Sequence, residues 1–142
     1  YESALTDVLE TLVEREGREA VVGALEARYA ALLRRLPSDL AELPAEVRLA
    51  AVTRLLQEDG FMPGWEGSAE GGTLTEHNCA IRAVAERFPE ICAAEERFLS
   101  AALGASVGLQ AHVLDGCSAC EYQVQFTAPV SIGTSRPQGV NA

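Results

Sequence analysis

The sequence predicts an α+β fold: a small antiparallel sheet of about four strands, covered by helices and preceded by a long N-terminal helical dimerisation arm. Three observations predict it. Apolar residues recur at helical spacing up to Glu58. Two-residue alternation takes over in two separate stretches, after Phe61 and after Val107. Glycine and proline fall at the borders between these regimes. Helices, strands, helices and strands in that order suit segregated layers rather than a parallel βαβ sheet.

Each element has its own signal. Leu5, Val8, Leu9, Leu12 and Val13 form one apolar face of a first helix, which Gly17 interrupts. Val22, Leu25, Tyr29, Leu32 and Leu36 then alternate by three and four. That is coiled-coil spacing, and it suits either a helix packed on its own domain or one that forms a dimer. Pro37 and Ser38 stop it. A further helix is expected from Ala45 to Glu58, with Pro44 suited to its first turn and Gly60 to its exit. Phe61–Glu66 and Thr73–His77 read as a hairpin around the Gly/Ser-rich stretch 67–72, with Pro63 confining the first strand to an edge or an end. Asn78 can cap a helix carrying Ile81, Val84, Ala85 and Phe88. Pro89 starts another, with Ile91, Ala94, Glu95, Phe98 and Leu99 at helical spacing, and Gly104 closes it. Val107 to Val113 and Tyr122 to Phe126 are the last two expected strands. The chain thus divides into a helical arm (1–40), an α+β cysteine-containing unit (41–128) and a flexible tail rich in Gly, Ser and Pro (129–142).

Composition narrows the function. The formal net charge is −10, from 21 acidic and 11 basic residues, and there is no lysine. A surface that grips nucleic acid gains most of its affinity from cations that neutralise phosphates, so DNA contact is expected only through a missing upstream part. The opening at Tyr1 rather than Met suits a piece of a longer protein. No apolar run approaches a membrane span and no secretory leader is apparent, so a cytoplasmic location without membrane association is expected.

Cys79, Cys92, Cys117 and Cys120 are the candidate metal-binding residues, spaced C-x12-C-x24-C-x2-C. In a reducing compartment, four cysteines point to metal, cluster or redox chemistry before structural disulfides. Cys117 and Cys120 follow Gly116 in an expected turn ahead of a strand, which can aim two sulfurs at one metal. Cys79 and Cys92 fall in the first turns of expected helices, where exposed N–H groups favour thiolate. Spacing alone leaves shared ligation and independent core thiols both open. His77 and Asn78 are second-shell or alternative ligand candidates; His77 reads chiefly as a strand-end imidazole that orients the loop, and Asn78 as a capping group.

Glu76-His77-Asn78-Cys79-Ala80-Ile81, Val84-Ala85, Phe88-Pro89-Glu90-Ile91-Cys92, Glu95, Phe98, Leu103-Gly104 and Cys120-Glu121-Tyr122-Gln123-Val124 carry a family resemblance. From Val47 through Val124 the chain resembles the sensory half of the SufR family. These are winged-helix transcriptional regulators distantly similar to the ArsR and DeoR types. The resemblance implies an upstream DNA-binding domain, a homodimer, and a cysteine-held iron–sulfur cluster that controls operator binding. Cys79, Cys92 and Cys120 match the family's cysteines; Cys117 is a departure that completes an all-Cys set or stands beside another ligand. Four thiolates suit a 4Fe–4S cluster, and 2Fe–2S stays open. The alternatives are structural zinc and a thiol redox protein. No catalytic triad, phosphate loop or paired catalytic carboxylates are apparent, so neither an enzyme nor a small-molecule substrate is expected.

Overall fold

The computed structural model describes residues 2–77, 82–111 and 119–126. Helix α1 (Glu2–Glu16) and helix α2 (Arg18–Arg34) are separated by Gly17 alone, whose φ of 93° suits a residue without a side chain. The two helices pack on each other, and α2 packs against the later helix α5 (Glu90–Leu103). The three-and-four stripe on α2 therefore has a partner within the chain: Tyr29 and Leu32 are buried, and Val22, Leu25 and Leu36 pack against the same core. Its coiled-coil spacing reflects intramolecular packing.

After a single 3₁₀ turn (Leu40–Glu42), helix α3 (Ala45–Glu58) starts behind Pro44 and buries Val52, Leu55 and Leu56. The four strands are β1 (Pro63–Gly67), β2 (Gly71–Glu76), β3 (Ala105–Ala111) and β4 (Cys120–Phe126). They form an antiparallel sheet in the order β1-β2-β4-β3. The short helix α4 (Arg82–Arg87) sits against α1. The architecture is the expected α+β one, with helices preceding an open four-stranded sheet. Among the described residues, no helix is long and apolar enough to cross a membrane.

Strand limits differ from expectation in instructive ways. Strand β1 begins at Pro63 because Phe61 is taken into the core, where its N–H closes the end of α3 on Leu56 O at 3.0 Å. The hairpin tightens around Gly67 and Gly72: a Cβ on Gly67 would lie 2.4 Å from Gly71 O, and one on Gly72 would lie 2.2 Å from Glu66 O. Strand β3 starts at Ala105, immediately after Gly104 ends α5 in the left-handed conformation at φ 61°. Strand β4 starts at Cys120, which lies within the strand rather than in the turn ahead of it, paired in register with Glu76.

The sheet has one dry and one wet face. Leu74 and Glu76 of β2 and Cys120, Tyr122 and Val124 of β4 are buried, whereas Glu121, Gln123 and Gln125 are exposed. Helix α5 covers the dry face, burying Ile91, Ala94, Phe98, Leu99 and Leu103. Two hydrogen bonds fix its direction. The Leu109 N–H donates to Glu96 Oε2 at 3.0 Å, and Ser100 Oγ donates to Ala105 O at 2.6 Å. Helix α5 thus runs antiparallel to β3, and its first turn lies toward the end of β3 and the start of β4. The Glu96 carboxylate also occupies an N–H of the edge strand β3 that would otherwise be open to pairing.

Candidate metal centre

Cys92 lies in the first turn of α5, its N–H bonded to Pro89 O at 3.0 Å, and is half-buried. Cys120 is the first residue of β4 and is buried on the dry face. Cys79, Cys117 and Asn78 lie outside the described residues, as does His112. Among the described residues, no three His, Cys, Asp or Glu side chains are gathered to hold a metal ion. His77 is exposed, and its backbone N–H donates to Met62 O at 3.1 Å. A Cβ added at Gly64 would come within 3.4 Å of its Nε2, so the imidazole leans over β1. Strand alternation puts His77 on the wet face with Thr73 and Thr75, and Glu76 on the dry face beside Cys120.

The described cysteines border a buried acid–phenol node that the sequence reading did not single out. Tyr122 Oη donates to Glu95 Oε1 at 2.6 Å, joining β4 to α5. Tyr122 is two residues after Cys120 on the same strand face, and Glu95 is one helical turn after Cys92. Glu76, 1% exposed, and Glu95, 4% exposed, share the interior. Both Glu76 oxygens and Glu95 Oε2 are reached by no N–H or O–H of another described residue. A proton kept on Glu76 lets one of its oxygens donate to Glu95.

Burial, then the nearby Glu95 charge, pushes Glu76 up to about 10, so Glu76 carries that proton at neutral pH. Burial also raises Glu95, opposed by the Tyr122 hydrogen bond. Tyr29 of α2 and Tyr122 are both raised well beyond the ordinary phenol value, chiefly by burial and then by Glu95. Tyr29 Oη has no hydrogen-bond partner among the described residues. The node therefore joins α5, β2 and β4, with Tyr29 of α2 beside it. Its sequence signal was present: Glu95 interrupts the apolar stripe of α5, and Glu76 takes the inward side of its strand.

A second set of contacts ties the first turn of α5 to the helical arm. Arg18, at the start of α2, reaches Glu90 at 2.8 Å, donates to Arg87 O at 3.1 Å and sits 4.9 Å from the centre of the Phe88 ring. Arg97 pairs with Glu26 at 2.9 Å farther along the same two helices. Comparison with protein-family models gave no match to the chain, and comparison with curated proteins gave none either.

Proposed function

We propose that the chain is the sensory part of a SufR-like, cytoplasmic, homodimeric transcriptional regulator. In this reading Cys79, Cys92, Cys117 and Cys120 hold an iron–sulfur cluster, 4Fe–4S before 2Fe–2S, and an upstream winged-helix domain binds DNA. One observation carries the reading. The end of β2, the start of β4 and the first turn of α5 lie at the same end of the sheet. Cys120 and Cys92 belong to two of these segments, and in sequence Cys79 is three residues past Glu76 and Cys117 three before Cys120.

The donor set suits the group. Thiolates are the usual cluster ligands, and a buried sulfur such as Cys120 favours a low-dielectric site shielded from water. When bound, the cluster supplies an inorganic centre that responds to oxidation or loss. The chain's own residues offer the relay: Arg18 links the segment that begins α5 to α2, and the Glu95–Tyr122 bond links α5 to β4. Helix α1 leaves Leu5, Val8 and Leu12 exposed on one stripe, an apolar surface suited to the second protomer. The acidic chain leaves operator contact to the upstream domain.

The test is iron and sulfide content with an absorption spectrum on protein prepared without oxygen. Brown protein carrying iron and sulfide, bleached by Cys92→Ser or Cys120→Ser, is the expected result. Colourless protein with one equivalent of zinc would replace the reading with a structural zinc site. Unchanged operator affinity of the full-length protein when Cys79, Cys92 and Cys120 are replaced by Ser would remove the sensing role.

A further inference from the structure

A cavity of about 560 Å³ opens between α3 and the β1–β2 hairpin, toward the end of the sheet opposite Cys120. This lies within the size range of small-molecule sites. Leu49 and Ala50 of α3 form one wall, and Trp65 of β1 with Phe126 of β4 forms the other. The aromatic wall is fixed, because the two rings pack at 5.9 Å between centroids and Arg48 lies 5.9 Å from the centre of the Phe126 ring. Mostly apolar walls with a few polar groups at the rim are what a small amphipathic ligand requires.

The polar groups give the ligand a direction. Arg54 and Glu46 both border the cavity from α3, eight residues apart, about 12 Å along the helix axis. Arg54 makes no ion pair or hydrogen bond among the described residues. By contrast, Arg18, Arg28, Arg35, Arg82, Arg87 and Arg97 each hold a carboxylate. In a chain with an excess of ten negative charges, a guanidinium beside an apolar slot that holds no carboxylate among the described residues suits an acid from outside. Glu46 disfavours the same charge at the other end, which leaves one orientation.

The geometry points to a binding site for an apolar monocarboxylate, an aliphatic or aromatic acid whose carboxylate meets Arg54 and whose body lies between Ala50 and Trp65. This site is separate from the proposed metal centre.

Trp65 is the chain's sole tryptophan, so its fluorescence reports the cavity directly. Decanoate titrated into the full chain should change Trp65 emission saturably. Arg54→Ala should weaken decanoate about ten-fold while leaving decanol, the uncharged analogue, unchanged. Ala50→Trp, which fills the slot, should abolish both responses. Should that variant fail to fold, the exposed Arg54→Ala change carries the test with the two ligands. Three results would overturn the proposal: no saturable response, equal weakening of decanoate and decanol by Arg54→Ala, or binding only after removal of residues 127–142. The last result would make the chain's own C-terminal segment the occupant.

Discussion

The two ends of α5 solve the problem of burying charge in opposite ways. At its C-terminal end, Arg48 is 6% exposed and well supplied with acceptors. Its Nε donates to Leu103 O at 2.8 Å, and its Nη1 donates to Leu43 O and, at 3.4 Å, to Ala41 O. A cation on the last carbonyls of a helix also meets the negative end of the helix dipole. Toward the N-terminal end, Glu76 and Glu95 are buried, and beyond the proton they share no donor among the described residues reaches Glu95 Oε2 or the Glu76 oxygens. A satisfied buried ion fixes structure, whereas an undersupplied acid pair stores free energy that a change in protonation or in its surroundings can release. The first end is a clamp. The second is where a response can be built.

The largest effect should come from breaking the clamp. Arg48→Ala removes the donor to Leu103, Leu43 and Ala41 together and leaves the buried contact at Leu103 O and two part-buried ones unmade. We expect a loss of about 3 kcal/mol in urea unfolding. A loss below ~1 kcal/mol would mean that water replaces the guanidinium, and the contrast between the ends would collapse.

At the other end the expected change is a pH dependence. Folded Glu76 keeps its proton up to about 10, whereas the unfolded group loses it near its ordinary value of 4.5. Over that interval the folded state binds more protons, so stability is fully present below about 4.5 and falls as pH rises toward 10. The slope is at most ~1.4 kcal/mol per pH unit for one proton. Glu76→Gln keeps a donor to Glu95 without a titrating group. It should flatten the slope and gain about 2 kcal/mol relative to the parent chain at pH 8. Urea midpoints measured at several pH values between 5 and 9 decide it, and parallel curves for the two proteins would refute the shared proton.

The fold was legible because its signals are local. Gly17, Pro44, Pro89 and Gly104 punctuate the helices where the sequence places breaks, and Pro63 begins an edge strand. What lay beyond reach depends on neighbours distant in the chain. The alternation of Tyr29 and Leu32 suits a partner helix of any origin, and the docking of α5 decides that much of the stripe faces inward. Cys120 joins β4 because Glu76 offers it a register, a pairing that no local pattern announces. In sequence, Glu76 reads as a supporting or capping group near Cys79 and Glu95 as one member of a helix stripe. They become a node only when the Tyr122 hydroxyl reaches Glu95. The cavity beside Trp65 has no local signal, since it lies where α3 and the hairpin do not close on each other.

The smallest effects separate the two phenols of the node and so sharpen the contrast between met and unmet polar groups. Tyr122→Phe removes the hydroxyl that donates to Glu95 Oε1 and should cost about 1–2 kcal/mol. Tyr29→Phe removes a hydroxyl that has no partner among the described residues, and it keeps the ring packed 5.6 Å from Phe98. Deleting an unsatisfied buried hydroxyl forfeits no hydrogen bond and relieves a desolvation cost, so stability should change by less than ~0.5 kcal/mol, or rise. Unfolding both variants with urea under one set of conditions gives the comparison. Should Tyr29→Phe prove as costly as Tyr122→Phe, the Tyr29 hydroxyl must be bonded in solution to a group or water that joins the acid pair. The node would then be a closed network like the Arg48 end rather than an undersupplied one.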